Sequence, residues 1–229
     1  MTSNLRFAHI RAILFDIDGT LADTDDDYVG RIRRFMKPFH LLKPDRTPDQ
    51  WAREFIKRTE TPANIFKTML DRLYIDEALG WIRDGYHNMT GIRPSNQLSL
   101  MAGIHDMLAN LQQEYQLAIV TAREHRSSMA FLTHFNLLPF FKVVVTARTT
   151  LRSKPHPAPI HHAAACLGVR TQACIMVGDT TVDMRAACSA GATAIGVLCG
   201  FGEREELSTA GAAIILKETR ELDNLLAGS

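Results

Sequence analysis

The feature that most constrains this chain is the segment Ile13–Leu21, in which a short apolar run ends in two carboxylates and a glycine turn. The run from Ala12 to Phe15 is wholly apolar, which is typical of a strand buried on both faces of a parallel sheet. Residues two apart on a strand point to the same face, so the side chains of Asp16 and Asp18 are expected to emerge together. Two like charges held so close together are energetically costly unless a cation or a shared proton compensates them. The pair of carboxylates therefore indicates a site with a chemical function and not a structural feature.

Composition narrows the class of protein. The chain has 229 residues, a length sufficient for one domain with a full core and an insertion. Its content of 46% hydrophobic and 22% charged residues is typical of a globular protein. A formal charge of +1 argues against nucleic acid and anionic membranes as partners. No stretch offers about 18 uninterrupted apolar residues, so we expect no membrane span and a cytoplasmic location. The four cysteines lack C-x-x-C spacing and are predicted to be reduced core thiols: Cys166, Cys174, Cys188 and Cys199.

The spacing at which apolar residues recur divides the chain into two parts. Between residues 23 and 94 it is that of successive helices, and beyond them apolar strands alternate with helices near residues 103–114, 125–136, 157–167 and 182–190. We therefore predict an α/β core of residues 1–22 and 95–229, built on a central parallel five-stranded sheet, and an inserted all-helical cap domain of residues 23–94. The downstream strands are expected at Leu117–Thr121, Val143–Thr146, Ala173–Val177 and Ala194–Leu198, with Ile214–Leu216 as a candidate short edge strand.

Polar residues follow three more of the predicted strands. Thr121 closes one, Lys154 lies in the loop after the next, and Asp179 and Asp183 follow the third. Each has an ordinary explanation, since a Thr can end a strand, a Lys is usually solvated, and Gly-Asp-Thr-Thr is a good turn with a helix cap. Because the carboxyl ends of parallel strands meet at one edge of a sheet, we expect these residues to form one site with the two acids of the first strand.

In this order and context the motifs resemble those of the haloacid dehalogenase superfamily, and in particular its phosphoglycolate phosphatase-like members with a helical cap. The matching positions are Asp16-x-Asp18-Gly19-Thr20, Thr121, Lys154 within K-P-x-P-x-P, and Gly178-Asp179 followed by Asp183. The segment Cys199-Gly200-Phe201-Gly202 is similar more loosely. The resemblance implies a Rossmannoid core and a hydrolase that acts on phosphoric monoesters.

The resemblance also implies the catalytic roles of four residues. Asp16 would attack phosphorus and form an aspartyl-phosphate, while Asp18 would protonate the leaving oxygen and then activate water. Thr121 and Lys154 would hold the phosphoryl oxygens.

The expected cofactor is Mg²⁺, because an all-oxygen ligand set suits a hard cation. Its expected ligands are the carboxylates of Asp16, Asp179 and Asp183 and the backbone carbonyl of Asp18. Substrate contacts are expected from Gly19, Thr20, Ala122 and Arg123. The expected partner is a small phosphorylated metabolite, with no nucleic acid and no membrane, and the protein is expected to be a monomer or a homodimer.

Several alternatives stay open. A sugar-phosphate mutase of the β-phosphoglucomutase type resembles this chain in its two aspartates, although Thr20 favours hydrolysis. A pyrophosphatase or a nucleotidase would suit the excess of basic residues between Arg31 and Arg58, if these are a substrate clamp and not a solvated surface. A catalytically idle binding domain has the least support, because every catalytic position is filled.

Overall fold

The computed structural model describes residues 7–23 and 99–227. The chain divides into two compact units, one of residues 1–23 and 99–229 and the other of residues 24–98. The first unit contains every residue predicted to belong to the site. The predicted helical cap and its basic segment lie outside the described residues, and the predicted division of the chain stays a prediction.

Eight strands form within the described residues, and six of them make a wholly parallel sheet. The strands are β1 (Ala12–Phe15), β2 (Ala22–Asp23), β3 (Ser99–Leu100), β4 (Gln116–Val120), β5 (Phe141–Val145), β6 (Cys174–Gly178), β7 (Thr193–Val197) and β8 (Ile214–Leu216). The sheet has the order β5-β4-β1-β6-β7-β8. All four residues of β1 are fully buried, as expected for an apolar strand inside a parallel sheet.

The register of the central strands sets the level at which the site begins. Ile13 pairs with Leu117 of β4 on one side and with Ile175 of β6 on the other. The backbone N–H of Asp16 continues this ladder by donating to the carbonyl of Val177 at 3.0 Å. The carboxyl ends of β1, β4 and β6 are therefore level with one another, and the predicted site residues follow directly from them.

Six helices accompany the sheet within the described residues. They are α1 (Ile104–Leu111), α2 (His125–His134), α3 (Ala158–Leu167), α4 (Thr181–Ala190), α5 (Arg204–Thr209) and α6 (Glu221–Ala227). Helix α3 packs on β1, β4 and β5, and α4 packs on β6 and β7, in one cluster with Leu14 and Met176. Ile13 and Ile175 alternate with these residues along their strands, point to the opposite face and are equally buried. Within the described ranges, no helix has the length and apolar character needed to cross a membrane.

The sheet has six strands where five were predicted. The additional strand is β8, which pairs in parallel with β7 through Ile195 with Ile214 and Val197 with Leu216. The candidate edge segment therefore belongs to the sheet. Strands β2 and β3 form a separate antiparallel pair that the sequence pattern does not predict, because two residues are too few to establish an alternation.

The prediction of four core thiols is wrong for two of the cysteines. All four are free, but Cys166 and Cys188 are exposed on α3 and α4, and Cys199 is half-buried. Both helices are rich in alanine, so their sequences do not define a sharp apolar face on which to place a cysteine. Cys174 is buried in β6, where desolvation raises the pKa of its thiol to about 11.

Candidate active site

Loops at the carboxyl ends of four neighbouring strands supply the predicted site residues. Two acids follow β1, Thr121 follows β4, and Asp179 follows β6. Lys154 lies in the longer loop between β5 and α3, and its Nζ donates to the carbonyl of Val120, the last residue of β4, at 2.8 Å. The strand order therefore brings residues that are distant in sequence to one edge of the sheet.

Three carboxylates form a buried cluster at this edge. Asp16, Asp179 and Asp183 each offer an oxygen that lies within 4.8 Å of the others, and the three residues are 7%, 0% and 1% exposed. Lys154 is buried beside them, with its Nζ 2.6 Å from Asp183 Oδ1 and 3.0 Å from Asp16 Oδ1. Because buried like charges repel and are poorly solvated, the positive charge of this lysine stabilises the arrangement.

The charges in the cluster shift one another's protonation. Burial raises the pKa of Asp16 to about 6; Lys154 opposes this shift, and the nearby carboxylates of Asp183 and Asp18 add to it. Burial alone would lower the pKa of Lys154, but Asp16 and Asp183 outweigh it and raise that pKa above its ordinary value. Lys154 therefore stays a cation, and its side chain brings a single positive charge into contact with a cluster of three buried carboxyl groups.

The cluster fits a divalent cation. Among the buried side-chain oxygens and nitrogens of the described residues, Asp16 Oδ1 is the atom without a hydrogen bond, and its approach to Lys154 is an ion-pair contact. A buried anionic oxygen in this state is costly, and a bound cation would remove that cost. Carboxylate oxygens are the ligands that hard cations prefer. The side chain of Asp18 is not a member of this cluster.

Asp183 is held by two sets of contacts at the start of α4. Its Oδ1 accepts from Lys154, while its Oδ2 accepts from the Thr180 hydroxyl at 2.6 Å and from the Thr180 backbone N–H at 3.2 Å. The Thr180 hydroxyl in turn accepts from the Asp183 N–H at 3.4 Å, which completes a capping box. Asp183 therefore couples the helix start to the buried lysine, in addition to any role as a ligand.

Asp179 is enclosed by backbone from two other loops. Its Oδ1 accepts from the Thr20 hydroxyl at 3.4 Å, and its Oδ2 accepts from the backbone N–H of Phe201 at 2.9 Å. Gly19 has a φ of 70°, and a Cβ added at Gly19 or at Gly200 would overlap the Asp179 carboxylate. Glycine is therefore required at both positions for the chain to approach this carboxylate closely.

Asp18 pairs with Arg123, a residue 105 positions away. Arg123 Nε donates to Asp18 Oδ2 at 2.7 Å and Nη2 donates to Oδ1, so the contact is bidentate. The guanidinium lies 5.4 Å from the ring centroid of Phe131, and the backbone N–H of Arg123 donates to the Thr121 hydroxyl at 3.2 Å. The side chain of Asp18 is 37% exposed, against 11% for that of Asp16. Asp18 is therefore the more accessible of the two acids.

The four predicted substrate residues lie in different surroundings. Gly19 and Thr20 pack against Asp179, and Thr20 is fully buried, with its carbonyl accepting from the Thr219 hydroxyl at 2.6 Å. Ala122 is exposed, and Arg123 is half-buried. Their roles toward a substrate stay predictions, and the surroundings of Thr20 favour support of the Asp179 carboxylate.

Sequence reasoning missed the contribution of the loop after β7. The Phe201 N–H binds Asp179, and the Cys199 thiol lies 3.5 Å from the Gly19 carbonyl and 3.3 Å from the Thr219 hydroxyl. The spacing of the two glycines in Cys199-Gly200-Phe201-Gly202 was the available signal, because close approach of backbone to a buried group requires residues without a Cβ.

Comparisons with known proteins agree with this architecture. A sequence model described as haloacid dehalogenase-like hydrolase matches residues 13–197. The chain is 28% identical to the phosphoglycolate phosphatase of Colwellia psychrerythraea over 87% of its length and 89% of that protein. It is 28% identical to pyrophosphatase PpaX of Anoxybacillus flavithermus, over 95% and 97% of the two chains. A crystal structure from Thermotoga maritima, provisionally named a β-phosphoglucomutase, shares the fold with a TM-score of 0.68 at 24% identity, covering 96% of this chain and 99% of that one.

Proposed function

Because the chain belongs to the haloacid dehalogenase-like hydrolase family, we propose that it is a metal-dependent phosphatase that hydrolyses a small phosphomonoester through a phosphorylated Asp16. The observation that carries the proposal is the state of this carboxylate. It lies at the end of the central strand, is buried beside Lys154, and has an oxygen without a hydrogen bond among the described residues. A structural carboxylate would have that oxygen satisfied.

In the proposed first step, an oxygen of Asp16 attacks phosphorus in line with the ester bond. The new bond joins Asp16 to phosphorus, and the bond between phosphorus and the leaving oxygen breaks. Asp18 delivers a proton to that oxygen, so the leaving portion departs as an alcohol. The greater exposure of Asp18 supports this division of roles, because a group that exchanges protons with substrate and water must be accessible.

In the second step, Asp18 removes a proton from water as the water oxygen attacks phosphorus. The bond between Asp16 and phosphorus breaks, inorganic phosphate leaves, and both aspartates return to their initial states. Lys154 touches Asp16, so its ammonium is in position to hold a phosphoryl oxygen, and the Thr121 hydroxyl at the end of β4 is a second candidate donor.

The metal would be held by Asp16, Asp179 and the backbone carbonyl of Asp18, with Asp183 beside them. A bound hard cation, of which Mg²⁺ is the one we propose, would neutralise the carboxylates and draw charge from the phosphoryl oxygens. The proposed location is the cytoplasm and the proposed partner is a small phosphorylated metabolite.

The favoured substrate is phosphoglycolate or a close analogue. Support comes from the curated relatives, which carry the names phosphoglycolate phosphatase and pyrophosphatase at equal identity. Both names refer to compounds with a second anionic group near the scissile phosphate. Pyrophosphate is therefore the second candidate.

The proposal is tested by phosphate release from 2-phosphoglycolate, pyrophosphate, sugar phosphates and nucleoside monophosphates, with Mg²⁺ or with EDTA. Release should require the metal and should be abolished in Asp16→Asn, whereas exposed Asp23→Asn serves as the control variant. Near-normal turnover by Asp16→Asn would refute the mechanism. Silence of the wild-type protein across the panel would favour a mutase, a substrate outside the panel or an idle binding domain over the proposed phosphatase.

The mutase alternative has its own test. β-Glucose 1-phosphate is incubated with the protein, Mg²⁺ and a catalytic amount of β-glucose 1,6-bisphosphate. A mutase yields the isomeric glucose 6-phosphate, whereas a phosphatase yields glucose and inorganic phosphate. Accumulation of the isomer without phosphate would overturn the hydrolase assignment.

A further inference from the structure

We propose that Arg123 bridges Asp18 and an oxyanion on the leaving portion of the substrate, and thereby selects phosphate compounds whose leaving group carries a carboxylate or a second phosphate. This inference rests on the proposed function and adds to it a residue that determines specificity. It concerns the part of the substrate that departs, whereas Lys154 faces the phosphoryl group that is transferred.

The guanidinium of Arg123 has one edge engaged and another available. A guanidinium has five N–H donors in a planar fork, and the bidentate contact with Asp18 uses the edge formed by Nε and Nη2. Among the described residues, no oxygen accepts a hydrogen bond from Nη1. The edge formed by Nη1 and Nη2 can therefore take a second oxyanion while the first edge keeps Asp18 in place.

The Arg123 side chain is already ordered for this role. Its guanidinium lies over the Phe131 ring, its backbone N–H donates to the Thr121 hydroxyl, and its backbone carbonyl accepts from the Ala147 N–H at 2.9 Å. The side chain is 14% exposed, so contacts to it are less screened than contacts to a surface arginine. Little conformational entropy remains to be lost when an anion binds.

The position of Asp18 determines which end of the substrate Arg123 meets. In the proposed mechanism Asp18 protonates the leaving oxygen, so the leaving group lies beside Asp18. A residue bonded to Asp18 is therefore on the side of the leaving group. The buried lysine contacts Asp16 and Asp183 instead, which places it on the side of the phosphoryl group. An oxyanion close to the ester oxygen comes within reach of Arg123.

The experiment compares kcat/KM for three substrates in excess Mg²⁺: 2-phosphoglycolate, pyrophosphate, and 2-hydroxyethyl phosphate, in which a neutral hydroxymethyl group replaces the carboxylate of 2-phosphoglycolate. The variants are Arg123→Gln, which removes the charge and the fork, and Arg123→Lys, which keeps only the charge. The matched control is Arg148→Gln, an exposed arginine paired with Glu124.

The measured quantity is the ratio of kcat/KM for each anionic substrate to that for 2-hydroxyethyl phosphate. Loss of a bidentate contact between charged groups should lower this ratio about 10- to 100-fold in Arg123→Gln and less in Arg123→Lys. The control should leave it unchanged. Whether the ratio falls for 2-phosphoglycolate or for pyrophosphate identifies the oxyanion. Thermal unfolding of each variant checks that it is folded. If Arg123→Gln does not fold, the ratio is measured on Arg123→Lys.

Different outcomes separate this inference from the function on which it rests. Equal loss of activity toward all three substrates would mean that Arg123 only positions Asp18, and would overturn the inference while leaving the phosphatase assignment intact. A wild-type protein that hydrolyses 2-hydroxyethyl phosphate as well as the anionic compounds would have the same meaning. Absence of phosphate release from every substrate by the wild-type protein would instead reject the proposed function.

Discussion

Replacing Lys154 by methionine should be one of the most destabilising single changes in the described core. The lysine side chain is 3% exposed and that of Asp183 is 1% exposed, so neither charge has access to water that could replace its partner. Removing one partner of a buried ion pair typically costs about 3–5 kcal/mol, because the other charge is left uncompensated. Methionine preserves most of the volume, so a cavity adds little to this figure.

The loss of stability in Lys154→Met should depend on pH, and the protonation of Asp16 determines whether the loss grows or shrinks as the pH rises. Burial raises the pKa of this carboxyl from 3.8 to about 6, and Lys154 is the largest of the influences that oppose this rise. In Lys154→Met the folded-state pKa rises further, so the folded state binds protons more tightly than the unfolded state does. The part of the cost that comes from Asp16 is absent below pH 3.8 and grows as the pH rises through the folded-state pKa. The variant should therefore be closer to wild type at pH 5 than at pH 8.

The assay is urea unfolding in EDTA at both pH values, followed by circular dichroism. Hydrogen exchange of peptides that contain Ala12–Phe15 and Cys174–Gly178 assigns the change to the core, since a chain with two compact units need not unfold in one step. The control is Lys142→Met, an exposed lysine bonded to Gln116, for which we expect less than about 1 kcal/mol.

Addition of Mg²⁺ should restore part of the lost stability of Lys154→Met, because a bound cation would compensate the same carboxylates. The reasoning fails if the variant lies within about 1 kcal/mol of wild type at pH 8, since an ion pair of this burial cannot be that weak once broken. It also fails if the loss is the same at pH 5 and pH 8.

Three further predictions follow from the same geometry. Asp16→Asn should raise the free energy of unfolding of the metal-free protein at pH 8 by about 1–3 kcal/mol. The reason is that a pKa raised from 3.8 to about 6 disfavours the ionised form of Asp16 in the folded protein by about 3 kcal/mol. Urea unfolding in EDTA should show no such gain below pH 3.8, where the wild-type carboxyl is neutral in both the folded and the unfolded state. Gly200→Ala should lower phosphatase activity at least about tenfold, because its Cβ would overlap the Asp179 carboxylate. Gly168→Ala should keep its activity, because a Cβ at Gly168 would meet no atom within 4 Å and the residue lies at the end of α3, outside the carboxylate cluster. Alkylation of the native protein at pH 8, located by mass spectrometry, should label Cys166 and Cys188 and spare Cys174 until urea unfolds the core; labelling of Cys174 at the rate of the exposed thiols would contradict its burial.

Much of the core fold was accessible from the sequence because its signals are local. The apolar run of β1 and the alternation of strands and helices predicted the parallel sheet, and the observed helices begin and end within a few residues of the predicted ones. The errors occur where the local signal is short or ambiguous. The three residues of β8 carry too little pattern to secure a sixth strand, and alanine-rich helices conceal which face holds a cysteine.

The sequence by itself determined which residues could do chemistry at the ends of the strands, because acids, a threonine and a lysine follow successive buried strands in a parallel sheet. Only the tertiary structure decided how they pair. Arg123 binds Asp18, Lys154 lies between Asp16 and Asp183, and the backbone of the loop after β7 donates to Asp179. The physical reason is that periodicity reports which face a residue occupies, whereas the contacts between loops depend on how distant segments pack and on which buried charges must be compensated.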